Sequence, residues 1–145
     1  MAQQRFPNGI DASPETFYEY QKSVVKTAEL IANGETIIYK AVFQFNEVLC
    51  AIDILVKDDN KWYAHEVKGS TSEKPTFVQD AALQYYVITN AGLDLQDIFI
   101  LHLNNEYLRY DKLNLQELFT PTSVLEQVIN LQPFIVQKEI ELKIY

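Results

Sequence analysis

Three side chains near the middle of the chain have the types and spacing that metal-assisted hydrolysis requires. Asp53 is followed, after a gap of twelve residues, by Glu66, and Lys68 lies two residues beyond Glu66. Carboxylate oxygens are preferred ligands of Mg²⁺ and Mn²⁺, and a lysine can position a water molecule or stabilise charge that develops on a phosphate. If the fold brings the three residues together, they form a candidate hydrolytic site.

Glu66 and Lys68 belong to a predicted β-strand, Lys61–Lys68, entered through the polar turn Asp58-Asp59-Asn60. Side chains alternate along a strand, so Glu66 and Lys68 project from one face, about 7 Å apart, and His65 projects from the other. We therefore interpret His65 as a structural residue.

Whether Asp53 joins them depends on the register of a predicted hairpin. A four-residue turn, Asp58–Lys61, pairs Lys57 with Trp62 and thereby brings Asp53 opposite Glu66. A slip of one residue would move the two carboxylates to opposite faces of the sheet. The alternative interpretation is a solvated sheet face with an incidental Glu–Lys pair.

The elements that must position these residues alternate between helical and extended patterns. A capping hydroxyl and a proline predict a helix that starts at Ser13-Pro14-Glu15 and ends at Asn33-Gly34. The later elements are three antiparallel strands, a helix that Gly92 ends, and a buried strand; their predicted bounds are Thr36–Phe45, Val48–Val56, Lys61–Lys68, Thr76–Ala91 and Ile98–Leu103. The order predicts one α+β (mixed α/β) domain over residues 1–145.

The two ends of the chain have weaker patterns. We expect an irregular lead-in over residues 1–12 and an edge strand at Glu106–Tyr110. Helical patterns follow at Leu115–Phe119 and Ser123–Asn130, and Phe134–Tyr145 fits a helix or a strand.

The second predicted strand alternates in a way that assigns its apolar side chains to one face. The residues that share this face are Val48, Cys50, Ile52, Ile54 and Val56. Cys50, the only cysteine, cannot form an internal disulfide or a four-cysteine zinc site. We expect it to be a buried structural thiol.

The net charge of −8 disfavours proteins that hold nucleic acid by bulk electrostatics. The acidity is uneven, because residues 57–74 balance four lysines against four acids, whereas residues 76–106 contain acids and no Lys or Arg. We therefore expect any DNA binding to be weak, metal-dependent and sensitive to salt. No stretch reaches the ~18 apolar residues of a membrane span, so we expect a cytoplasmic protein without a membrane partner.

Asp53, Glu66 and Lys68, in this order of elements, resemble the D…(D/E)-x-K signature of the PD-(D/E)XK nuclease superfamily, whose core is restriction-endonuclease-like. The chain is similar, over about residues 27–119, to a bacterial family of largely uncharacterised RecB-like nuclease domains. The stretches that carry the resemblance are Ala51–Val56, Trp62–Ser70, Asp80–Tyr86 and Leu101–Tyr107.

The resemblance implies a deoxyribonuclease that depends on Mg²⁺ or Mn²⁺. Asp53, Glu66 and the carbonyl of Val67 would be its metal ligands and Lys68 its catalytic lysine. Gln84 and Tyr86 would contact the DNA, although a helix-surface amide is an equal interpretation of Gln84. Members of the family tend to be longer, so the chain could be one domain of a longer protein, and a homo-oligomer stays open.

Lys40 departs from the pattern, because relatives tend to have glutamate in the first strand. Pairing Phe45 with Val48 places Lys40 opposite Asp53, where an ammonium would lower the pKa of the carboxylates and compete with a metal. This residue favours an alternative function: a catalytically impaired, nuclease-like fold that binds nucleic acid or protein. Glu29 or Glu19 on the first helix is a candidate for the missing acid.

Overall fold

A computed structural model describes residues 2–70, 74–103 and 118–144. Their strands form a mixed sheet in which strands follow one another in chain order. The β1–β2 and β4–β5 pairs are parallel and the other neighbouring pairs are antiparallel. The strands are β1 (Ile10–Asp11), β2 (Ile37–Phe45), β3 (Val48–Asp58), β4 (Lys61–Val67), β5 (Leu95–Leu103) and β6 (Phe119–Ser123).

Four α-helices accompany the sheet in the described part of the chain: α1 (Tyr20–Ala32), α2 (Pro75–Asn90), α3 (Leu125–Asn130) and α4 (Gln132–Ile144). Two short 3₁₀ turns lie at Ala2–Arg5 and Phe17–Glu19. The predicted α+β class and the predicted order of helix, three strands, helix and strand are confirmed. None of the described helices is both long and apolar enough to cross a lipid bilayer.

The two hairpins have the registers that their turns predict. Asn46 and Glu47 adopt φ values of 51° and 69°, and Asp59 and Asn60 adopt 51° and 61°. Two consecutive residues with positive φ form the type I′ turn, whose twist matches that of the flanking strands. Phe45 consequently pairs with Val48, and Lys57 pairs with Trp62.

Helix α2 connects β4 to its parallel neighbour β5 and covers one face of the sheet. Pro75 stands at its start, where a missing amide hydrogen costs nothing. Ala81 and Ile88 are fully buried against the sheet, together with Leu55 of β3. Gln84 belongs to the same buried side of the helix, which brings an amide side chain onto the sheet.

The predicted single apolar face of β3 is wrong in part, because the strand changes faces at Asp53. Ile52 packs in the larger core with α2, whereas Ile54 packs in a smaller core beneath the N-terminal turn. The partner strand changes at the same level: Tyr39 lies in the smaller core and Ala41 in the larger one. Lys40, between them, has a left-handed φ of 56°, and such a residue interrupts strict alternation.

The first helix begins later than predicted, at Tyr20. Ser13 does not cap it, because the Ser13 hydroxyl donates to Asp11 and the Ser13 amide also donates to Asp11 Oδ1, at 2.7 Å. The side chain that the sequence offers as a helix cap is engaged in a local turn instead. The helix ends as predicted, with Gly34 at a φ of 87°.

Other differences lie near the chain ends. The expected irregular lead-in contains β1, which the parallel partner β2 stabilises. Phe119 belongs to strand β6 rather than to a helix, since it pairs with Leu103 of β5. The helix at Leu125–Asn130 is confirmed and the tail is helical, whereas Glu106–Tyr110 and residues 115–117 lie outside the described residues.

Gly9 gives a stability prediction for the N-terminal segment. A Cβ on Gly9 would lie 2.5 Å from the ring of Tyr39, whose hydroxyl accepts from the Gly9 amide at 3.0 Å and donates to the carbonyl of Phe6. Because the ring is held by these bonds, we expect Gly9→Ala to lower the free energy of unfolding by about 1–3 kcal/mol, measured by urea denaturation. Gly69→Ala is the control, since no atom of the described residues, apart from its chain neighbours, lies within 4 Å of its added Cβ; equal effects of both substitutions would contradict the packing argument.

Candidate functional site

The pairing of β3 with β4 ends at Ile54 and His65. It does not extend to Asp53, the residue before Ile54, whose side chain instead contacts β4. The amide of Val67 donates to Asp53 Oδ2 at 2.9 Å, so a carboxylate replaces the next backbone acceptor of the ladder. The carboxyl groups of Asp53 and Glu66 are hydrogen-bonded to each other. The structure therefore brings these two predicted site residues together.

The two carboxyl groups have opposite pKa shifts. Burial, the hydrogen bond to Asp53 and the negative charge of Asp53 raise the pKa of Glu66 to about 8. Burial opposes ionisation of Asp53 as well, but hydrogen bonds from Glu66, Lys40 and the Val67 amide hold its pKa below the ordinary value. Near neutral pH the pair thus retains one proton, with Glu66 as donor and Asp53 as acceptor.

Gln84 orients Glu66 from helix α2. Its Nε2 donates to Glu66 Oε2 and lies 3.3 Å from the carbonyl oxygen of Ala51. Because Gln84 is only 8% exposed, its interpretation as a helix-surface amide is wrong. Its Oε1 is buried and has no hydrogen-bond partner among the described residues.

Lys68 is held by the first turns of α2. Its ammonium lies 3.4 Å from Asp80 Oδ2 and 5.1 Å from the centre of the Phe77 ring. The carboxylate and the ring face both attract a cation. The positive charge of Lys68 also acts on Glu66, where it partly offsets the rise in pKa.

Lys40 forms an ion pair with the other carboxylate oxygen of Asp53, Oδ1. Its Nζ lies 2.7 Å from Asp53 Oδ1, and the side chains are 46% and 22% exposed, respectively. The hydrogen bond to Asp53 raises the pKa of Lys40 despite partial burial, with further contributions from the charges of Glu66 and Asp11. The predicted position of Lys40 opposite Asp53 is confirmed.

A cleft of about 410 Å³ opens onto this ion pair. The residues that line it are Ala2, Gln3, Lys40, Asp53, Ile54 and Val67. Its size is within the range of small-ligand sites. Glu66 is buried beneath the surface of the cleft, where it contacts Asp53.

The oxygen donors of this site are of the kind that could hold a hard divalent cation. The donors are carboxylate oxygens of Asp53 and Glu66 and the carbonyl oxygen of Val67, all of the kind that Mg²⁺ and Mn²⁺ prefer. The unpartnered Oε1 of Gln84 adds an amide oxygen beside Glu66. No cluster of three His, Cys, Asp or Glu side chains occurs among the described residues, so carboxylates alone would not complete the coordination.

The acids suggested for the first helix lie elsewhere. Glu19 forms an ion pair with Lys22 at 3.1 Å, and Glu29 is exposed in a shallow groove of α1 side chains. Sequence reasoning missed Asp11, whose charge acts on Lys40. Its two-residue strand has too little pattern to be recognised, and only the parallel pairing of β1 with β2 brings it near.

Tyr86 lies in the core rather than at the cleft. It is 7% exposed and packs edge-on against Phe45, with ring centres 5.7 Å apart. A buried ring in this position stabilises the contact between α2 and β2. The predicted role of Tyr86 in binding DNA has no support in this position.

The structural interpretation of His65 agrees with its surroundings, whereas Cys50 is half-buried rather than buried as expected. Burial, with the charge of Glu66, raises the pKa of the Cys50 thiol to about 12, which disfavours the reactive thiolate. His65 is buried between the rings of Phe6 and Phe99, at centroid distances of 4.6 Å and 4.9 Å. Burial and the charge of Arg5 lower its pKa to about 4.

The shared proton predicts an unusual dependence of stability on pH. The folded protein binds the Glu66 proton more tightly than the unfolded chain does, because the ordinary pKa of a glutamate is 4.5. This stabilisation is complete below the ordinary value and is lost as the pH rises through about 8. With a chelator present, we expect Glu66→Gln to flatten the decline in unfolding free energy between about pH 5.5 and 8. Glu47→Gln, in the exposed β2–β3 turn, is the control; a parallel decline in all three proteins would contradict the assignment.

The left-handed backbone of Lys40 predicts that glycine is a more stable replacement than alanine at this position, the reverse of the order expected in a regular strand. At a φ of 56° a Cβ is unfavourable, so we expect Lys40→Gly to be more stable than Lys40→Ala by about 1 kcal/mol. At Lys57, in the regular part of β3, glycine should instead be the less stable replacement. Urea denaturation of the four variants measures both differences, and the same order at both positions would disprove the backbone argument.

No protein-family model matches the chain, and no curated protein matches it in sequence.

Proposed function

We propose that the protein is a nuclease with a restriction-endonuclease-like core that hydrolyses DNA phosphodiester bonds with Mg²⁺ or Mn²⁺. The observation that carries this proposal is the carboxyl pair of half-buried Asp53 and buried Glu66 where β3 and β4 part, with Lys68 two residues beyond Glu66. Two carboxyl groups held together and partly removed from water are costly unless they have a partner or a function.

The residues have separable roles in such a reaction. Asp53, Glu66 and the carbonyl of Val67 would hold the cation, and Gln84 would orient Glu66. A bound Mg²⁺ or Mn²⁺ would supply an activated water and neutralise charge on the scissile phosphate. Lys68 would position that water or stabilise the phosphate, with its ammonium held on the α2 side by Asp80, 3.4 Å away.

Cleavage assays test this proposal directly. With Mn²⁺ and single- or double-stranded DNA, we expect Asp53→Asn and Lys68→Met to reduce cleavage by about 10²–10⁴-fold, because each removes a group that acts on the reacting atoms. Asp58→Asn and Lys61→Met, at exposed positions of the β3–β4 turn, make the same chemical changes outside the site and should cleave as the unaltered protein does. Equal cleavage by all five proteins would mean that the activity arises elsewhere or from a contaminant.

A second candidate function is favoured by one specific contact. Lys40 lies 2.7 Å from Asp53, and a permanent ion pair there would leave a nuclease-like fold that binds nucleic acid or protein without cutting. Calorimetry separates the two candidates: the nuclease should bind Mn²⁺, and Asp53→Asn should weaken that binding. A protein that binds no Mn²⁺ but still binds DNA would support the second candidate.

A further inference from the structure

We propose that Lys40 is a phosphate-binding residue of this site, whose ammonium pairs with Asp53 in the free protein and with a phosphodiester of the substrate in the complex. The inference rests on the proposed nuclease function and adds to it a residue that contacts the substrate. It follows from the backbone, exposure and charge of Lys40.

The backbone of Lys40 is held in an unfavourable conformation at the edge of the cleft. Its φ of 56° interrupts β2, yet Tyr39 and Ala41 on either side keep their register with Ile54 and Ile52. A non-glycine residue in this region persists only where its surroundings determine it, and such residues concentrate at functional sites. A lysine has no local side-chain bond to its own turn that would explain the conformation, unlike asparagine or aspartate.

The ammonium of Lys40 is also on the accessible side of the ion pair. Its side chain is 46% exposed, whereas that of Asp53 is 22% exposed, and both line the cleft. A ligand that enters the cleft can therefore meet the lysine without rearrangement of the sheet. The long, flexible side chain can turn from Asp53 toward such a ligand while its backbone stays in place.

The charges around Lys40 match a single phosphodiester. In the free protein the ammonium of Lys40 pairs with the carboxylate of Asp53, with Nζ 2.7 Å from Oδ1. If the carboxylates of Asp53 and Glu66 bound a divalent cation, their two negative charges would neutralise it, and the single positive charge of Lys40 would lose its partner. One phosphodiester group has the single negative charge that neutralises it, and Lys40 is the group on the cleft side that can meet it.

This role differs measurably from simple competition with a metal. If Lys40 only blocks the cation, its removal should strengthen both Mn²⁺ binding and DNA binding or cleavage. If Lys40 binds phosphate, its removal should strengthen Mn²⁺ binding and weaken DNA binding. The two effects then have opposite signs in one variant.

The experiment compares Lys40→Met and Lys40→Arg with the unaltered chain, and Lys61→Met is the control. Calorimetry measures binding of Mn²⁺ alone, and fluorescence anisotropy measures binding of a labelled DNA oligonucleotide in Ca²⁺, which is used to avoid cleavage. We expect Lys40→Met to bind Mn²⁺ more tightly and DNA about tenfold more weakly, with a salt dependence reduced by about one phosphate contact. Lys40→Arg should restore DNA binding, because a guanidinium also binds phosphate. Lys61→Met should change neither measurement.

The outcomes separate this inference from the function on which it rests. Unchanged or tighter DNA binding by Lys40→Met, with Mn²⁺ binding intact, would overturn the phosphate-binding role and leave the nuclease proposal standing. Absence of Mn²⁺ binding and of cleavage in every protein would overturn the nuclease proposal itself. Urea denaturation of Lys40→Met and Lys40→Arg checks that both variants fold. If the methionine variant does not, Lys40→Gly, which the left-handed backbone accommodates, replaces it in both binding measurements with the same expected outcome.

Discussion

The side chain of Asp53 links strands β3 and β4 at the point where their backbone pairing ends. On the Asp53 side of Ile54, strand β3 no longer pairs with β4. There the Asp53 carboxylate accepts a hydrogen bond from the Val67 amide, which would otherwise have lost its partner. A buried amide without an acceptor is costly, so this single contact allows the two strands to part. The opening contains the carboxyl pair with Glu66 and borders the cleft.

A second consequence follows from crowding two carboxyl groups and an ammonium into this opening. Two ionised carboxylates in contact are unfavourable where water is largely excluded. The pair therefore retains one proton, which is held by Glu66 rather than Asp53. Lys40 balances the remaining charge from the cleft side, and Gln84 donates to Glu66 from the core side. The site is thus neutral and hydrogen-bonded in the free protein, although its oxygen donors suit a cation.

Much of the sheet could be read from local patterns. Two-residue turns with polar residues specify type I′ geometry, and this geometry determines the register on either side. That is why the positions of Lys40 and Glu66 relative to Asp53 could be derived by counting residues. The helix Pro75–Asn90, predicted at Thr76–Ala91, was similarly apparent from its closing glycine, Gly92.

Other features depend on contacts between distant segments. The change of faces at Asp53 coincides with the left-handed backbone of Lys40 in the neighbouring strand, and lysine has no intrinsic preference for that conformation. The cap expected at Ser13 was lost to a hydrogen bond with Asp11, and β1 exists only because β2 lies beside it. Local propensity could not reveal these features, since each depends on a competing partner.

By itself the sequence determined the class of the fold, the hairpin register and the meeting of Asp53 with Glu66, because turn chemistry and strand alternation act over a few residues. Only the tertiary structure decided that Gln84 turns inward onto Glu66 and that Tyr86 is buried in the core. Both residues lie on α2, where the angle of docking decides which side chains face the sheet, and that angle is set by packing over the whole domain.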